Sequence, residues 1–206
     1  DDSRGADRGG SAPGDEAPHV LELDDALSSA DTLVVRRSGV RPQVASSPDI
    51  ASERLPIPLG IELDGKYFLR QLLGKGSMGV VYLAEDVALE RPVALKVLLP
   101  QYAADERLAR HFHREAVAMA RVRHNNVVQI FSYGSHDGLP YFVMEYIEGQ
   151  TVADQIERAA ATGEPIYLDV ALGILGQICH GLQAVHDLRI VHRDVKPGNI
   201  MVTKGG

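Results

Sequence analysis

The sequence has one cysteine, no tryptophan and only five lysines, none of which precedes Lys66. A single cysteine excludes an intramolecular disulfide and is consistent with a reducing compartment. Cys179 ends the mostly apolar stretch I-L-G-Q-I-C, so we expect a small buried hydrophobic residue there rather than a reactive thiol. The lysines are scattered singly, whereas nucleic-acid-binding domains carry a basic patch, so we expect no nucleic acid partner.

Long hydrophobic segments are missing as well. No stretch contains the roughly 18 uncharged apolar residues that a membrane-spanning helix requires, and the sequence does not begin with a signal-peptide pattern. We therefore expect no membrane segment within these residues and a cytoplasmic location, with any membrane anchor of the full-length protein lying outside them. The sequence leaves dimerisation open.

The first 58 residues differ in composition from the rest. They contain no aromatic residue and carry eleven acidic residues against six arginines, a net charge of -5. The remaining 148 residues carry seventeen acidic against fifteen basic residues, a net charge of -2. Short apolar islands such as 33–35 offer too little surface to offset the entropy of ordering the chain. We therefore predict a disordered acidic tail over residues 1–58.

From Tyr67 onward, hydrophobic periodicity predicts regular structure. Runs of β-branched and apolar residues predict five strands, over residues 67–73, 80–84, 93–98, 127–133 and 141–147. Apolar residues at helical spacing predict three helices, over residues 105–122, 152–161 and 168–185. The order of these elements indicates an α+β fold, with an antiparallel sheet over residues 59–147 and a helical part over residues 148–206.

Three glycines with the spacing G-x-G-x-x-G, Gly74, Gly76 and Gly79, lie at the junction of the first two predicted strands. Glycines let backbone amides approach phosphate oxygens without interference from a Cβ, and they permit a tight turn. The motif is weak by itself, because a glycine-rich hairpin without a ligand has the same pattern. A dinucleotide site would require a helix directly after Gly79. A strand is predicted there instead, which argues against that class of site.

Lys96 lies inside the apolar strand V-A-L-K-V-L. A buried ammonium requires a carboxylate partner, and Glu115 is a candidate because it neighbours the apolar stripe of the predicted helix 105–122. Two alternatives stay open. Lys96 can reach solvent from an edge strand, and Glu115 can be a solvated acid paired with His111 or Arg114.

The string H-R-D-V-K-P-G-N over residues 192–199 follows the last predicted helix. It supplies a carboxylate at Asp194, a cation at Lys196 and an amide at Asn199. These groups suit phosphoryl transfer, because a carboxylate can orient or deprotonate the attacking hydroxyl, a cation offsets phosphoryl charge, and an amide oxygen binds Mg2+. Eight residues at fixed spacing are difficult to match by chance. The alternative is a polar loop with ordinary caps and turns.

Together these segments resemble a known family, the eukaryotic-like serine/threonine protein kinases found in bacteria. The resemblance covers residues 66–204 and rests on G-K-G-S-M-G-V-V-Y-L-A-E-D, V-A-L-K-V-L, H-R-E-A, M-E-Y-I-E-G and I-V-H-R-D-V-K-P-G-N-I-M-V. It implies a two-lobe kinase fold of which these residues include only part of the helical lobe. It also implies that ATP, with Mg2+, donates its γ-phosphoryl group to Ser or Thr hydroxyls of protein substrates.

The resemblance also implies roles for individual residues. It implies that Gly74, Gly76 and Gly79 cover the phosphates of ATP, and that Lys96, paired with Glu115, contacts the α and β phosphates. It also implies that Asp194 is the catalytic base, that Lys196 contacts the γ phosphate and that Asn199 is a ligand of Mg2+. Around the adenine base, the resemblance implies that Met144 is the gatekeeper and that residues 145–147, including Glu145 and Ile147, form the hinge. It places Val81, Ala94 and Met201 on the two faces of the base.

Two departures from the family pattern bear on activity. Asn125 stands where many relatives have proline, which is a minor change. The D-F-G motif, expected about a dozen residues after Asn199, is not reached within the 206 residues. Without its metal-binding aspartate the charge on the phosphates is poorly neutralised, so we predict very little phosphoryl transfer by these residues alone.

The predicted helix 168–185 carries an apolar face that later helices of the family would cover. We expect this face to be exposed in these residues and to promote aggregation. An alternative function follows from the same incompleteness: a non-catalytic, kinase-like module that binds nucleotide or docks onto a partner.

Overall fold

The computed structural model describes the backbone of residues 33–35 and the whole of residues 55–203. The predicted disorder of residues 1–32 and 36–54 lies outside the described residues. For two short segments the structure differs from that prediction. Leu33–Val35 forms a strand, β1, and Ile57 is buried with 3% of its surface exposed. Ordered structure therefore extends to the amino-terminal side of the predicted boundary at residue 59.

The larger sheet has six strands in the order β2-β3-β4-β5-β7-β6, and every neighbouring pair is antiparallel. Its strands are β2 (Glu62–Leu63), β3 (Tyr67–Lys75), β4 (Gly79–Asp86), β5 (Arg91–Leu98), β6 (Ile130–His136) and β7 (Leu139–Glu145). The five predicted strands are confirmed, with shifted ends. The two-residue β2 is too short to give a periodic signal.

Four α-helices complete the main elements of the described residues. They are α1 (Pro100–Ala103), α2 (Glu106–Met119), α3 (Val152–Thr162) and α4 (Leu168–Asp187). The start of α2 is fixed by Asp105, whose side chain accepts a hydrogen bond from the Arg107 amide at 2.8 Å. The start of α3 is a capping box between Thr151 and Asp154, and the helix ends at Gly163 with a φ of 72°.

A second, smaller sheet has the order β1-β9-β8. It contains β8 (Gly149–Thr151) and β9 (Ile200–Thr203), and a 3-10 helix (Pro197–Asn199) leads directly into β9. Strand β9 pairs antiparallel with β8 and parallel with β1. Gly149 permits the close approach of β8 and β9, because a Cβ there would lie 2.2 Å from the Val202 carbonyl oxygen.

The six-stranded sheet separates two apolar clusters, because its side chains alternate between the two faces. One cluster includes Val80, Tyr82 and Leu95 and is covered by Ile57, whose backbone carbonyl accepts a hydrogen bond from the Tyr82 hydroxyl at 2.9 Å. The other cluster joins the opposite face to the helices and to β9. Its buried members include Met78, Leu98, Phe112, Ile174, Ile178 and Ile200.

Helix α4 buries one narrow stripe and exposes the rest of its apolar surface. Ile174, Ile178 and Val185 are buried, whereas Leu172 and other large apolar side chains of the helix are exposed, which confirms the expected exposed face. The predicted burial of Cys179 is wrong: this residue follows Ile178 by one position, which turns its side chain off the buried stripe and into solvent.

The same helix bears on the predicted absence of a membrane segment. Within residues 33–35 and 55–203, α4 alone is long and apolar enough to cross a membrane, with a mean hydropathy of 1.3. This is weak evidence, because core helices of water-soluble proteins meet the same criterion.

Candidate active site

The glycine segment forms the tight connection between β3 and β4. The Gly76 amide donates a hydrogen bond to the Gly79 carbonyl at 2.8 Å, which closes the turn. Met78 lies inside this turn and is buried in the core, where its carbonyl accepts a hydrogen bond from the Leu99 amide at 2.9 Å. Met78 was not predicted from the sequence, although a lone large apolar residue in a glycine-rich turn is a signal for such an anchor. A strand follows Gly79, as predicted, so the dinucleotide alternative has no support.

Predicted site residues on three neighbouring strands share one face of the sheet. Val81 pairs with Lys96, and Ala94 pairs with Met144. Since side chains alternate along a strand, Gly79 lies on the same face as Val81, and Lys96 on the same face as Ala94. The residues between them point to the opposite cluster, so the chemistry and the main sheet core are on separate faces.

Lys96 does not lie on an edge strand, because β5 runs between β4 and β7 in the middle of the sheet. Its ammonium nitrogen is 5.5 Å from the centre of the Phe142 ring, which in turn packs against Phe112 of α2 at 5.0 Å. Glu115 follows Phe112 by three positions on α2 and is buried, with 6% of its surface exposed. The edge-strand position of Lys96 and the solvation of Glu115 are therefore wrong. The pairing of Lys96 with Glu115 stays a prediction that this placement supports.

The residues predicted around the adenine base lie at the end of β7 and on β9. Ile147 is buried against Val128, and Met144 and Met201 pack against the same pair. Val128 was missed as a site residue, because an apolar residue of a predicted strand carries no signal that separates it from the core. The Glu145 amide donates a hydrogen bond to the Gln129 carbonyl at 2.9 Å. An adenine base would therefore have to form its hydrogen bonds with other backbone groups of residues 145–147.

The loop before β9 brings together the three polar residues that the sequence singled out. The Lys196 ammonium lies 2.7 Å from Oδ2 of Asp194. The Asn199 side-chain amide donates to the Asp194 carbonyl at 2.7 Å and to Oδ2 of Asp194 at 2.9 Å. Asn199 is buried, and its 3-10 turn is closed by a hydrogen bond from its own amide to the Lys196 carbonyl at 2.9 Å. These contacts form one connected cluster rather than a loosely solvated loop.

The charge state of Asp194 follows from these neighbours. Burial raises the pKa of this carboxyl, but the hydrogen bonds from Lys196 and Asn199 outweigh burial and hold the pKa below its usual value. The carboxylate is therefore ionised at neutral pH, and a nearby ammonium partly offsets its charge.

Backbone geometry sets the direction in which Asp194 points. Arg193, which precedes it, has a φ of 60°, an unusual conformation for a residue with a side chain. The Asp194 amide donates to the carbonyl of His192 at 2.8 Å, and the buried ring of His192 lies against the same amide, with Nδ1 at 3.3 Å. The buried His192 therefore helps to hold the backbone at Asp194.

Comparison with known proteins identifies a family over the residues that include this site. The protein kinase domain family matches residues 67–206. The chain is 40% identical over 148 residues to serine/threonine-protein kinase PrkC of Bacillus subtilis (strain 168), covering 72% of this chain and 22% of that protein. It is 40% identical over 146 residues to serine/threonine-protein kinase PksC of Streptomyces coelicolor, covering 69% of this chain and 26% of that protein.

The structure also resembles a solved kinase domain. It matches that of Mycobacterium tuberculosis PknI with a TM-score of 0.59 and 28% sequence identity, over 71% of this chain and 62% of that domain. The chain thus spans about a quarter or less of the curated relatives above and less than two thirds of the solved domain. The motifs, the site geometry and these similarities agree, and the chain belongs to the protein kinase domain family, in its bacterial serine/threonine branch.

Proposed function

We propose that this chain carries the ATP site and the catalytic loop of a bacterial serine/threonine protein kinase. One observation carries the proposal: the Asp194 carboxylate is hydrogen-bonded to both Lys196 and Asn199, in a loop that leads directly into the strand bearing Met201. Met201 packs with the residues proposed to hold the base. The groups for binding a nucleotide and for acting on its phosphates are thereby linked through one short segment.

ATP fits the chemistry of the shared sheet face. A glycine turn has backbone amides that can approach phosphate oxygens, and Lys96 adds a cation on the same face. At the other end of the site, Met144, Ile147 and Met201 supply apolar surface for a base. An anion-binding end and an apolar end in this order suit a nucleoside triphosphate.

The proposed role of Asp194 is to orient the acceptor hydroxyl. A carboxylate whose pKa is held low is a weak base, so it accepts the proton only as the hydroxyl oxygen bonds to phosphorus. Lys196, which contacts Asp194, offsets negative charge on the phosphoryl group as it is transferred. Lysine at this position resembles the serine/threonine kinases, so the proposed acceptors are Ser and Thr hydroxyls of proteins.

Magnesium fits the donor set near Asn199. The described hydrogen bonds of this side chain use its amide nitrogen, and its amide oxygen is the hard ligand that would hold the cation. Among the described residues no group of three His, Cys, Asp or Glu could hold a metal by itself. The cation, when bound, would therefore be held by the Asn199 amide oxygen together with phosphate oxygens, and it would neutralise charge on the phosphates. We place the reaction in the cytoplasm, where ATP and protein substrates are available.

Nucleotide binding tests this proposal directly. We would titrate Mg-ATP into the 206-residue chain by calorimetry, alongside Lys96→Met and the control Lys66→Met, which removes an exposed lysine from the turn before β3. We expect Lys96→Met to weaken binding by about tenfold or more, as for a lost hydrogen bond to a charged group, and Lys66→Met to bind like the parent chain. Equal affinities in all three chains would contradict the assigned site.

A transfer assay separates the kinase from the docking alternative. Radiolabel transfer from ATP to a generic Ser/Thr substrate is measured for the chain and for Asp194→Asn. Weak transfer that Asp194→Asn abolishes supports the catalytic assignment. Tight nucleotide binding with transfer that is unchanged in Asp194→Asn favours a nucleotide-binding or docking module.

A further inference from the structure

The outward side of α2 carries a row of exposed arginines. Their spacing follows the helical repeat, so they lie on one side of the helix. The opposite side buries Phe112, Ala116 and Met119 in the core. The row continues into the turn after the helix, where its last member is also exposed. This α2 arginine row consists of Arg107, Arg110, Arg114 and Arg121.

Two acidic residues at the start of the helix offset part of this charge. The Arg107 guanidinium lies 3.7 Å from the Asp105 carboxylate. The Arg110 guanidinium lies 2.9 Å from the Glu106 carboxylate. Four arginines against these two acids leave a net charge of +2 on this side of α2, whereas residues 59–206 together carry -2. Exposed ion pairs are weak, so a denser array of carboxylates can replace the two local ones.

Apolar surface lies beside the arginines. Val117 occupies the gap in the row between Arg114 and Arg121, and 50% of its surface is exposed. Tyr133 of β6 is 38% exposed, and its ring contacts that of His113 on α2, with the ring centres 4.5 Å apart. The surface therefore fits a peptide in which acidic and apolar residues are interleaved.

The same surface suits a peptide better than a lipid bilayer. Helices that bind membrane surfaces insert large apolar side chains into the lipid. In α2 the large apolar side chains Phe112 and Met119 are used in the protein core instead. Val117 is the large apolar residue of the helix that is left exposed.

The chain contains a segment with the matching chemistry. Residues 15–31, which lie outside the described residues, carry six acidic residues and neither lysine nor arginine. Their net charge of -6 exceeds in magnitude the -5 of residues 1–58 as a whole, because all the arginines of that region lie outside the segment. The apolar residues interleaved with these acids are Val20, Leu21, Leu23 and Leu27.

We propose that residues 15–31 dock as an acidic peptide on the α2 arginine row of the same chain. The carboxylates pair with the arginines, and the apolar residues contact Val117 and Tyr133. Each exposed ion pair contributes little. A tethered segment, however, is presented at an effective concentration on the order of millimolar, so weak contacts are sufficient for occupancy. The docking does not depend on the proposed function, since no nucleotide takes part in it.

Paramagnetic relaxation in the full 206-residue chain tests the docking. Cys179→Ser removes the exposed native thiol, and Ser28→Cys then carries a nitroxide label inside the segment. We expect the amide signals of α2 to lose about half of their intensity or more when the label is oxidised, because the tethered segment occupies the row for much of the time. The signals should recover in about 0.5 M NaCl, which screens exposed charges.

Two triple variants locate the contact. Arg107→Gln, Arg110→Gln and Arg114→Gln together should abolish the broadening of α2. The matched control replaces three exposed arginines elsewhere and changes the net charge equally; its substitutions are Arg70→Gln, Arg158→Gln and Arg189→Gln. The control should broaden like the parent chain. The proposal would be overturned by unbroadened α2 signals in the parent chain, or by equal broadening in the two triple variants.

Two further measurements distinguish other occupants. An isotope-labelled chain without the nitroxide is mixed with a nitroxide-labelled chain that carries no isotope. Broadening of α2 in this mixture equal to that within one chain would assign the row to a second copy and overturn docking in cis. Vesicles of phosphatidylcholine and phosphatidylserine are added to the parent chain. If these vesicles perturb α2 while the nitroxide leaves it unchanged, the row binds an anionic membrane and the proposal is wrong.

Discussion

Gly79→Ala is the substitution for which the structure makes the sharpest prediction. A Cβ at this position would lie 2.7 Å from the Val97 carbonyl oxygen, whereas ordinary contact begins at 3.4 Å. The obstructing atom is backbone in the neighbouring strand, so it cannot rotate away. Strands β4 and β5 would have to separate by several tenths of an ångström at the end of the glycine turn.

The magnitude follows from the cost of overpacking. Inserting a methyl group into a packed site destabilises by about 1–3 kcal/mol. For a chain of this size, each kcal/mol lowers the melting temperature by about 2–4 °C, so we expect a decrease of about 2–12 °C. The same Cβ would lie 3.6 Å from both Cγ and Cε of Lys96. Any movement of the strand therefore also displaces the lysine proposed to bind phosphate.

The other two glycines of the motif are the controls. A Cβ at Gly74 would meet nothing within 4 Å, and one at Gly76 would meet the Gly79 carbonyl oxygen at an ordinary 3.6 Å. Neither has a positive φ, so alanine at these positions should change stability by no more than about 1 kcal/mol. Differential scanning calorimetry without nucleotide compares the three variants. Equal melting temperatures for Gly79→Ala and Gly74→Ala would refute the packing argument.

Four further substitutions test other parts of the structure. Ile57→Ala removes a side chain that is 3% exposed, and we expect a loss of about 2–4 kcal/mol in urea unfolding; a loss below 1 kcal/mol would show that the segment before β2 is not part of the core. The Tyr141 hydroxyl donates a hydrogen bond to the Asp64 carboxylate and lowers the pKa of that carboxyl. The stabilisation from this hydrogen bond is fully present above the ordinary pKa of 3.8, and it is lost as the pH falls through the lowered pKa. Tyr141→Phe should therefore cost about 1 kcal/mol at pH 7 and less near pH 3, and a cost independent of pH would contradict this linkage. Gly134→Ala places a Cβ 2.5 Å from the Tyr141 ring and should destabilise by about 1–3 kcal/mol, whereas Gly173→Ala, in open space on α4, should stabilise by up to about 1 kcal/mol; thermal unfolding that ranks them in the reverse order would refute both assignments.

The long elements could be predicted from sequence because they are long apolar runs or have a helical period. Strand β5 is a nearly continuous buried run that Lys96 interrupts, and α2 buries Phe112, Ala116 and Met119 at helical spacing. The short elements could not be predicted in the same way. Strands β2, β8 and β9 contain two to four residues each, and they exist because a partner strand is available.

The ends of the ordered region show a second limit. Ile57 lies between two prolines in a segment whose composition predicts a tail, and its burial depends on a face of the sheet formed by residues far along the chain. Strand β1 likewise depends on the edge of β9. Local composition therefore could not identify where distant elements order this part of the chain.

For the site, spacing identified the polar groups and missed the apolar ones. The fixed spacing of Asp194, Lys196 and Asn199 was sufficient because all three lie in contact within one short loop. Phe142, which lies between Lys96 and α2, looks like any apolar strand residue, and only the sheet order reveals its position. Chemistry-bearing residues leave a sequence signal of their own, whereas supporting residues are defined by packing.

The same packing explains how separate segments are held as one site. Met78 from the glycine turn, Phe112 from α2, Ile178 from α4 and Ile200 from β9 all belong to one apolar cluster. The polar contacts of Asp194 are local to its loop, so they cannot set its distance from the glycine turn. That distance depends on the shared cluster, and on α4 in particular, whose buried stripe lies opposite an exposed apolar face. Whatever covers or shifts that face therefore acts on the spacing between the residues proposed to bind nucleotide and the loop of Asp194.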